Sequence, residues 1–145
     1  MHRSPREVVE QVRRMVAGEG VEFADLFAAD GVLRYPFAAP GMPRELHGQA
    51  AIREFSAAAS GRRSMLEIAG VDVVVRETDD PEVVVAEIEH HGHSHGTGAA
   101  YRFRALGVIR VRNGEIVSYD DYMDPIAMAA LLGRTPDLVA VLTTA

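Results

Sequence analysis

At 145 residues, 48% apolar and 25% charged, the chain is long enough to bury a core and has the composition of an ordinary soluble protein. A net charge of −6 with no basic run argues against nucleic acid as a partner, and the lack of cysteine excludes disulfides and a thiol nucleophile. No run approaches the ~20 apolar residues of a membrane span, and the first residues hold no apolar signal core. One domain over residues 1–145, in the cytoplasm, is the expectation.

In chain order, Ser4-Pro5-Arg6-Glu7 is a capping box with proline at the first helical position. Val8, Val12, Met15 and Val16 follow at helical spacing, and Gly18 closes the helix. A short helix should carry Phe23, Leu26 and Phe27 and end near Asp30-Gly31. Val32 to Pro36 reads as a short strand, and the prolines of Phe37 to Pro43 predict a loop. Ile52 and Phe55 give a third helix, from Gly48 to about Ser60, its apolar stripe. Leu66 to Arg76 and Val83 to His91 alternate as strands around the turn Asp79-Asp80-Pro81. Asp124-Pro125 caps a helix running to Gly133, and Thr135-Pro136 starts another piece.

Between them, Tyr101 to Pro125 reads as two long antiparallel strands joined at Arg112-Asn113-Gly114. A two-residue Asn-Gly turn pairs Arg112 with Glu115 and sends Asp121 to the face of Arg104, Arg110 and Arg112. A three-residue loop with Gly114 in the left-handed bulge position pairs Ala105 with Asp121 and Ile109 with Val117 instead. Because a one-residue slip exchanges the faces, the register that separates apolar from charged residues is preferred, and it is the second. One face then holds Tyr101, Phe103, Ala105, Gly107, Ile109, Val117, Tyr119, Asp121 and Met123. The other holds Arg102, Arg104, Arg110, Ser118, Asp120 and Tyr122 around Leu106 and Val108. The element order predicts an α+β fold, with helices packed on one face of a curved antiparallel sheet.

Two strings, Leu26 to Phe55 and Gly107 to Pro125, resemble the nuclear transport factor 2-like superfamily in its SnoaL-like branch. The first resembles the phenazine-biosynthesis A/B group, and the second is shared with limonene-epoxide-hydrolase-like proteins. The resemblance implies a cone-shaped, cystatin-like sheet whose concave face, closed by helices, forms an apolar pocket. It also implies a homodimer through the other sheet face. The place of the ketosteroid isomerase base holds Tyr35 here, and that of the acidic oxyanion donor falls at Gly107. The Arg-x-Asp of the epoxide hydrolases becomes Glu87 and Glu89. Only the last-strand acid survives every comparison, as Asp121. It matches the proton-donating glutamate of the phenazine group and the acid/base aspartate of SnoaL-type polyketide cyclases.

A carboxylate on an apolar face has a chemical use, since desolvation raises its pKa toward neutrality. Asp121 and Glu89 are therefore the candidate catalytic residues. Glu87 shares a strand face with Glu89 and joins the site if that face is concave, where three acids would hold at least one proton. Tyr35, Phe37, Phe55, Phe103, Tyr119 and Met123 are candidate pocket walls, although core packing alone would use most of the aromatics. His90-His91-Gly92-His93-Ser94-His95 is expected to be a solvated hairpin loop and not a metal site, and His47 a cap or surface residue. The expected function is isomerase- or cyclase-like acid/base chemistry on a small hydrophobic or aromatic molecule, with no cofactor or metal. The competing expectation is a noncatalytic ligand-binding or dimerisation module. Arg104, Leu106, Val108 and Tyr122 would form the homodimer face, with an apolar centre in a charged rim.

Overall fold

The computed structural model describes residues 1–144. Helix α1 (Pro5–Val16) starts at the expected capping box, and its buried stripe is Val8, Val9 and Val12. A single 3-10 turn, Phe23–Leu26, leads directly into β1 (Phe27–Arg34). The strand therefore begins five residues before Val32, because Phe27 pairs in the sheet instead of closing a helix. The loop after it returns as a short strand, β2 (Glu45–His47), which the prolines concealed. Gly48 then caps α2 (Gln49–Arg63), whose Ile52 is fully buried.

Four long strands follow: β3 (Leu66–Glu77), β4 (Val83–Ser94), β5 (Ala99–Arg112) and β6 (Glu115–Tyr122). They are joined in the order β2-β1-β6-β5-β4-β3, with every neighbouring pair antiparallel but β1 and β6. Asp124 caps α3 (Pro125–Leu131) by accepting from the amides of Ile126 and Ala127, and α4 (Thr135–Thr144) ends the chain's described part. No helix among the described residues is long and apolar enough to cross a membrane.

The β5–β6 turn corrects the expected register. Asn113 and Gly114 both adopt positive φ, 53° and 78°, so the connection is the two-residue turn that pairs Arg112 with Glu115. The faces nevertheless stay sorted, because β6 carries an extra residue at once. Val111 pairs with Ile116 and Arg110 with Ser118, leaving Val117 as a bulge. Beyond it Tyr119 faces Ile109, and Asp121 lies across from Gly107, not Ala105. Ile116, completely buried, occupies the interior place expected for Val117. The bulge and not the loop length restores the alternation.

The helical layer covers the inner face of the sheet in two patches. Val8, Val9 and Val12 of α1 pack with Phe27, Ile52, Ile88, Ile109 and Tyr119. Phe103 packs separately with Leu131 and Leu132 of the α3 end, joined by Met65, Met123 and Met128. The space between these patches is not filled.

Candidate active site

That space is a cavity of about 270 Å3, lined by members of both patches. Tyr35, Phe55, Phe103, Tyr119, Asp121 and Met123 all line it, together with Ile88, Ala105 and the methionines Met15, Met42 and Met128. One expected aromatic wall is elsewhere, and His47 is at the surface as expected. Phe37 is 63% exposed and packs its ring edge-on against Tyr122, 5.3 Å between centroids. His47 is an exposed partner of Glu45 at 2.8 Å.

Asp121 is the single carboxylate among the cavity-lining residues. It reaches its place because the bulge at Val117 keeps Tyr119, Asp121 and Met123 on the inner face of β6. Its carboxyl group touches the cavity surface but is otherwise enclosed by protein, and no donor among the described residues reaches it. Burial without a compensating hydrogen bond pushes its pKa up to about 7 from the ordinary 3.8. The alternative structural role, a carboxylate tied to Tyr119, Tyr35 or a backbone amide, is therefore absent from the geometry.

The two phenols nearest Asp121 respond to it. Burial raises the Tyr35 phenol, and the charge of Asp121 raises it further. Tyr119 is lifted well above its usual value by burial first, then by Asp121 and Tyr35. Both remain neutral O–H groups at physiological pH. Gly107 makes room for the second of them. A Cβ at Gly107 would sit 3.0 Å from the ring and hydroxyl of Tyr119.

Glu87 and Glu89 do not join Asp121. On β4 the inward series is Val84, Ala86, Ile88 and His90, the first three of them buried, so the intervening glutamates point to the outer face. Glu89 accepts from Arg104 at 2.8 Å and from Arg102, and these two bonds hold its carboxyl below the usual range. Glu87 pairs with Arg76 at 2.9 Å. The physical reason is the phase of the β-branched run: Val84, Ala86 and Ile88 have more apolar surface to bury than their alternates.

The same phase places a residue that sequence reasoning assigned to a loop. His90 to His93 continue β4, which ends at Ser94, and the turn comes only after it. His90 lines the cavity, and its Nδ1 lies 2.8 Å from the Tyr101 hydroxyl, leaving Nε2 without a protein partner among the described residues. Burial, then the nearby Arg63 and His91, bring its pKa down to about 4, so it is a neutral imidazole. Extending the alternation of Ala86 and Ile88 by one step would have found it. His91, His93 and His95 lie outside this cavity. Among the described residues no three histidines or acids form a group that could hold a metal ion.

The arrangement thus provides a protonatable carboxyl, two neutral phenols and a neutral imidazole inside an apolar enclosure. Such a set can move a proton between positions of a bound molecule. The fold that holds these groups is a helix-backed, curved sheet. Solved structures with ketosteroid isomerase-like and cystatin-like folds, from Catenulispora acidiphila and Xanthomonas campestris, share it at a TM-score of 0.67 each. They are 22% and 14% identical to the chain, covering 93% and 91% of it and 98% and 100% of themselves.

The chain belongs to the SnoaL-like domain family, whose sequence pattern matches residues 8–119 and stops two residues before Asp121. It is 28% identical to an uncharacterized PhzA/B-like protein of Pseudomonas aeruginosa over 130 residues, 87% of either chain. It is 31% identical to the uncharacterized protein YesE of Bacillus subtilis over 112 residues, 77% of this chain and 74% of YesE. A solved Bacillus subtilis structure, provisionally named an isomerase, is 26% identical with a TM-score of 0.73, covering 88% of this chain and 93% of that one.

Proposed function

We propose that the protein is an isomerase- or cyclase-like enzyme that moves a proton within a small hydrophobic or aromatic molecule, using Asp121 and no cofactor. The observation that carries this reading is the enclosed, unbonded carboxyl of Asp121, poised by burial at about 7. A general acid/base works best when its pKa lies near the working pH. Asp121 takes or gives the proton, and the Tyr35 and Tyr119 hydroxyls donate hydrogen bonds to the oxygen on which charge develops. His90, fixed through Nδ1 by Tyr101, offers Nε2 as a second neutral contact. The provisional naming of the Bacillus subtilis structure supports the reaction class without supplying a substrate.

Exchange of solvent deuterium into a panel of cyclic enones and 1,3-dicarbonyl compounds, followed by NMR, tests this. The wild type should accelerate exchange, and Asp121→Asn should return it to the buffer rate. Equal acceleration by both proteins would remove Asp121 from the chemistry. One observation favours the noncatalytic alternative: Glu87 and Glu89 lie outside, so Asp121 has no second acid as a partner. That alternative expects ligand binding in the cavity without exchange.

The same reading includes a homodimer through the outer sheet face. Val74, Val85, Leu106, Val108 and Tyr122 alternate outward there, and Val74 is 49% exposed. The ion pairs of Glu89 with Arg102 and Arg104, and of Arg34 with Asp120, surround them. An apolar centre within a charged rim suits a second copy of the same surface.

A further inference from the structure

All fifteen basic side chains of the protein are arginines, against 21 acids, and ten of them pair with a carboxylate. Arg62 and Arg63, the last two residues of α2, are adjacent and have no acidic partner among the described residues. Both line the Asp121 cavity, and both are exposed on their other side, so they stand where the cavity meets water. Arg63 is anchored there, donating to the Met15 carbonyl at 3.4 Å and lying 3.3 Å from the Met15 sulfur.

Complementing the carbonyl end of α2 would account for basic residues in its last turn, but not for where these two point. Their fields reach the interior of the cavity. Arg62 acts on Tyr35, lowering its phenol, and Arg63 acts on His90. Burial holds Arg63 itself below its usual pKa, a desolvation that no carboxylate of the protein offsets. The remaining wall is methionine, phenylalanine and aliphatic side chains.

Resting on the proposed function, we infer that the substrate is an amphiphilic anion, whose carboxylate, phosphate or sulfonate is held by Arg62 and Arg63 while its apolar body enters the cavity. Paired guanidiniums suit the flat, two-oxygen edge of a carboxylate especially well. At the close packing of protein interiors, the cavity accommodates roughly 200 Å3 of ligand atoms, the scale of a two-ring aromatic acid. Binding such an anion end-on fixes which carbon of the body faces Asp121, so the arginines choose the position of proton transfer.

The experiment compares 1-naphthoate with 1-naphthamide, which has the same shape and no charge, by isothermal titration calorimetry. Wild-type protein should prefer the acid by about tenfold or more, the worth of a charge-assisted hydrogen bond. Arg62→Gln/Arg63→Gln should bind both probes with the affinity the wild type shows for the amide. Arg62→Lys/Arg63→Lys, which keeps the charge, should restore part of the preference and shows that the loss is not a folding defect. Equal wild-type affinities, or a preference that survives the glutamine pair, would overturn the anion site while leaving the Asp121 chemistry in place. Failure of both probes to bind the wild type would overturn the anion site together with the cavity reading beneath it. Loss of deuterium exchange in Asp121→Asn tests that chemistry separately.

Discussion

Gly107 lies directly across the β5–β6 ladder from Asp121, and the space its missing side chain leaves is filled by the ring of Tyr119. The glycine is thus part of the cavity wall in negative. Gly107→Ala would place a methyl group 3.0 Å from the Tyr119 hydroxyl and ring carbons, tighter than van der Waals contact. Because Tyr119 packs against Phe23 and Phe27 on its other side, it can relieve the clash only toward the cavity. Urea unfolding should show a loss of about 1–3 kcal/mol, the usual cost of overpacking. Naphthoate affinity should fall with it. A variant as stable as the wild type with unchanged affinity would contradict this packing.

Asp121 and His90 share one cavity and should oppose each other in the pH dependence of stability. Asp121 titrates at about 7 when folded and near 3.8 when unfolded, so the folded state binds the extra proton between those values. Stability from this group is complete at low pH and is lost as pH rises through that window. His90 titrates at about 4 when folded and near 6.5 when unfolded, so the unfolded chain binds the extra proton. Its contribution is complete above that range and is lost as pH falls through it. The two slopes offset each other, and the wild-type profile should be flat where the windows overlap. Asp121→Asn should gain stability with rising pH there, and His90→Asn should lose it, each by about 1–2 kcal/mol after allowance for solvent reaching the cavity. Three superimposable profiles would show that neither group titrates as its burial requires.

At neutral pH the ionised Asp121 carboxylate is poorly solvated, so Asp121→Asn should melt at or above the wild-type temperature. A removed structural carboxylate would instead cost ~1.5–3 kcal/mol for each charge-assisted bond lost. Differential scanning calorimetry decides between them, and a clear drop in Tm would return Asp121 to a structural role.

Glu89→Gln makes a contrasting test. Its partners Arg102 and Arg104 are exposed and lie on the outer face, away from the cavity. Deuterium exchange and naphthoate binding should be unaffected, whereas Asp121→Asn abolishes the first. Loss of exchange in Glu89→Gln would restore the second acid to the site.

Val108→Asp should convert a dimer into monomers. The substitution buries a charge at the centre of the outer apolar strip, opposite Val85 and Asp120. Light scattering after gel filtration gives the masses directly. A wild-type mass of one chain, 15.7 kDa, would end the dimer proposal.

The elements with strong periodicity or caps were legible in the sequence. Ser4 and Asp124 start their helices where the capping pattern places them, and the alternation of β3 and β4 marks both strands. Asp121 stood out because segregating apolar from charged residues on two strands leaves it on the wrong side. The glutamates were misplaced because alternation fixes that they share a face but not which face the helices cover. His90 was hidden by composition, since a histidine- and glycine-rich run looks like a loop. It extends β4 because Gly92 lets β3 approach at its own irregularity: a Cβ there would lie 1.8 Å from the Glu67 carbonyl oxygen. Arg62 and Arg63 carry no periodic signal at all, since their role depends on which side of the helix end the cavity opens.

Val117, the residue with no partner across the ladder, acts as a frame marker for the last strand. Substitutions along β6 would alter the cavity by degrees, one wall atom at a time. Drawing Val117 into the ladder opposite Arg110, with no change in length, would act all at once, turning Tyr119, Asp121 and Met123 to the outer face and bringing Ser118, Asp120 and Tyr122 inside. Chemical identity in this strand is therefore open to gradual change, while the bulge is not: deleting Val117 leaves the later pairs as they are, but pairing it turns them over. A descendant that kept every residue of the site but paired that single spacer would retain the sheet and present its acid to the wrong side.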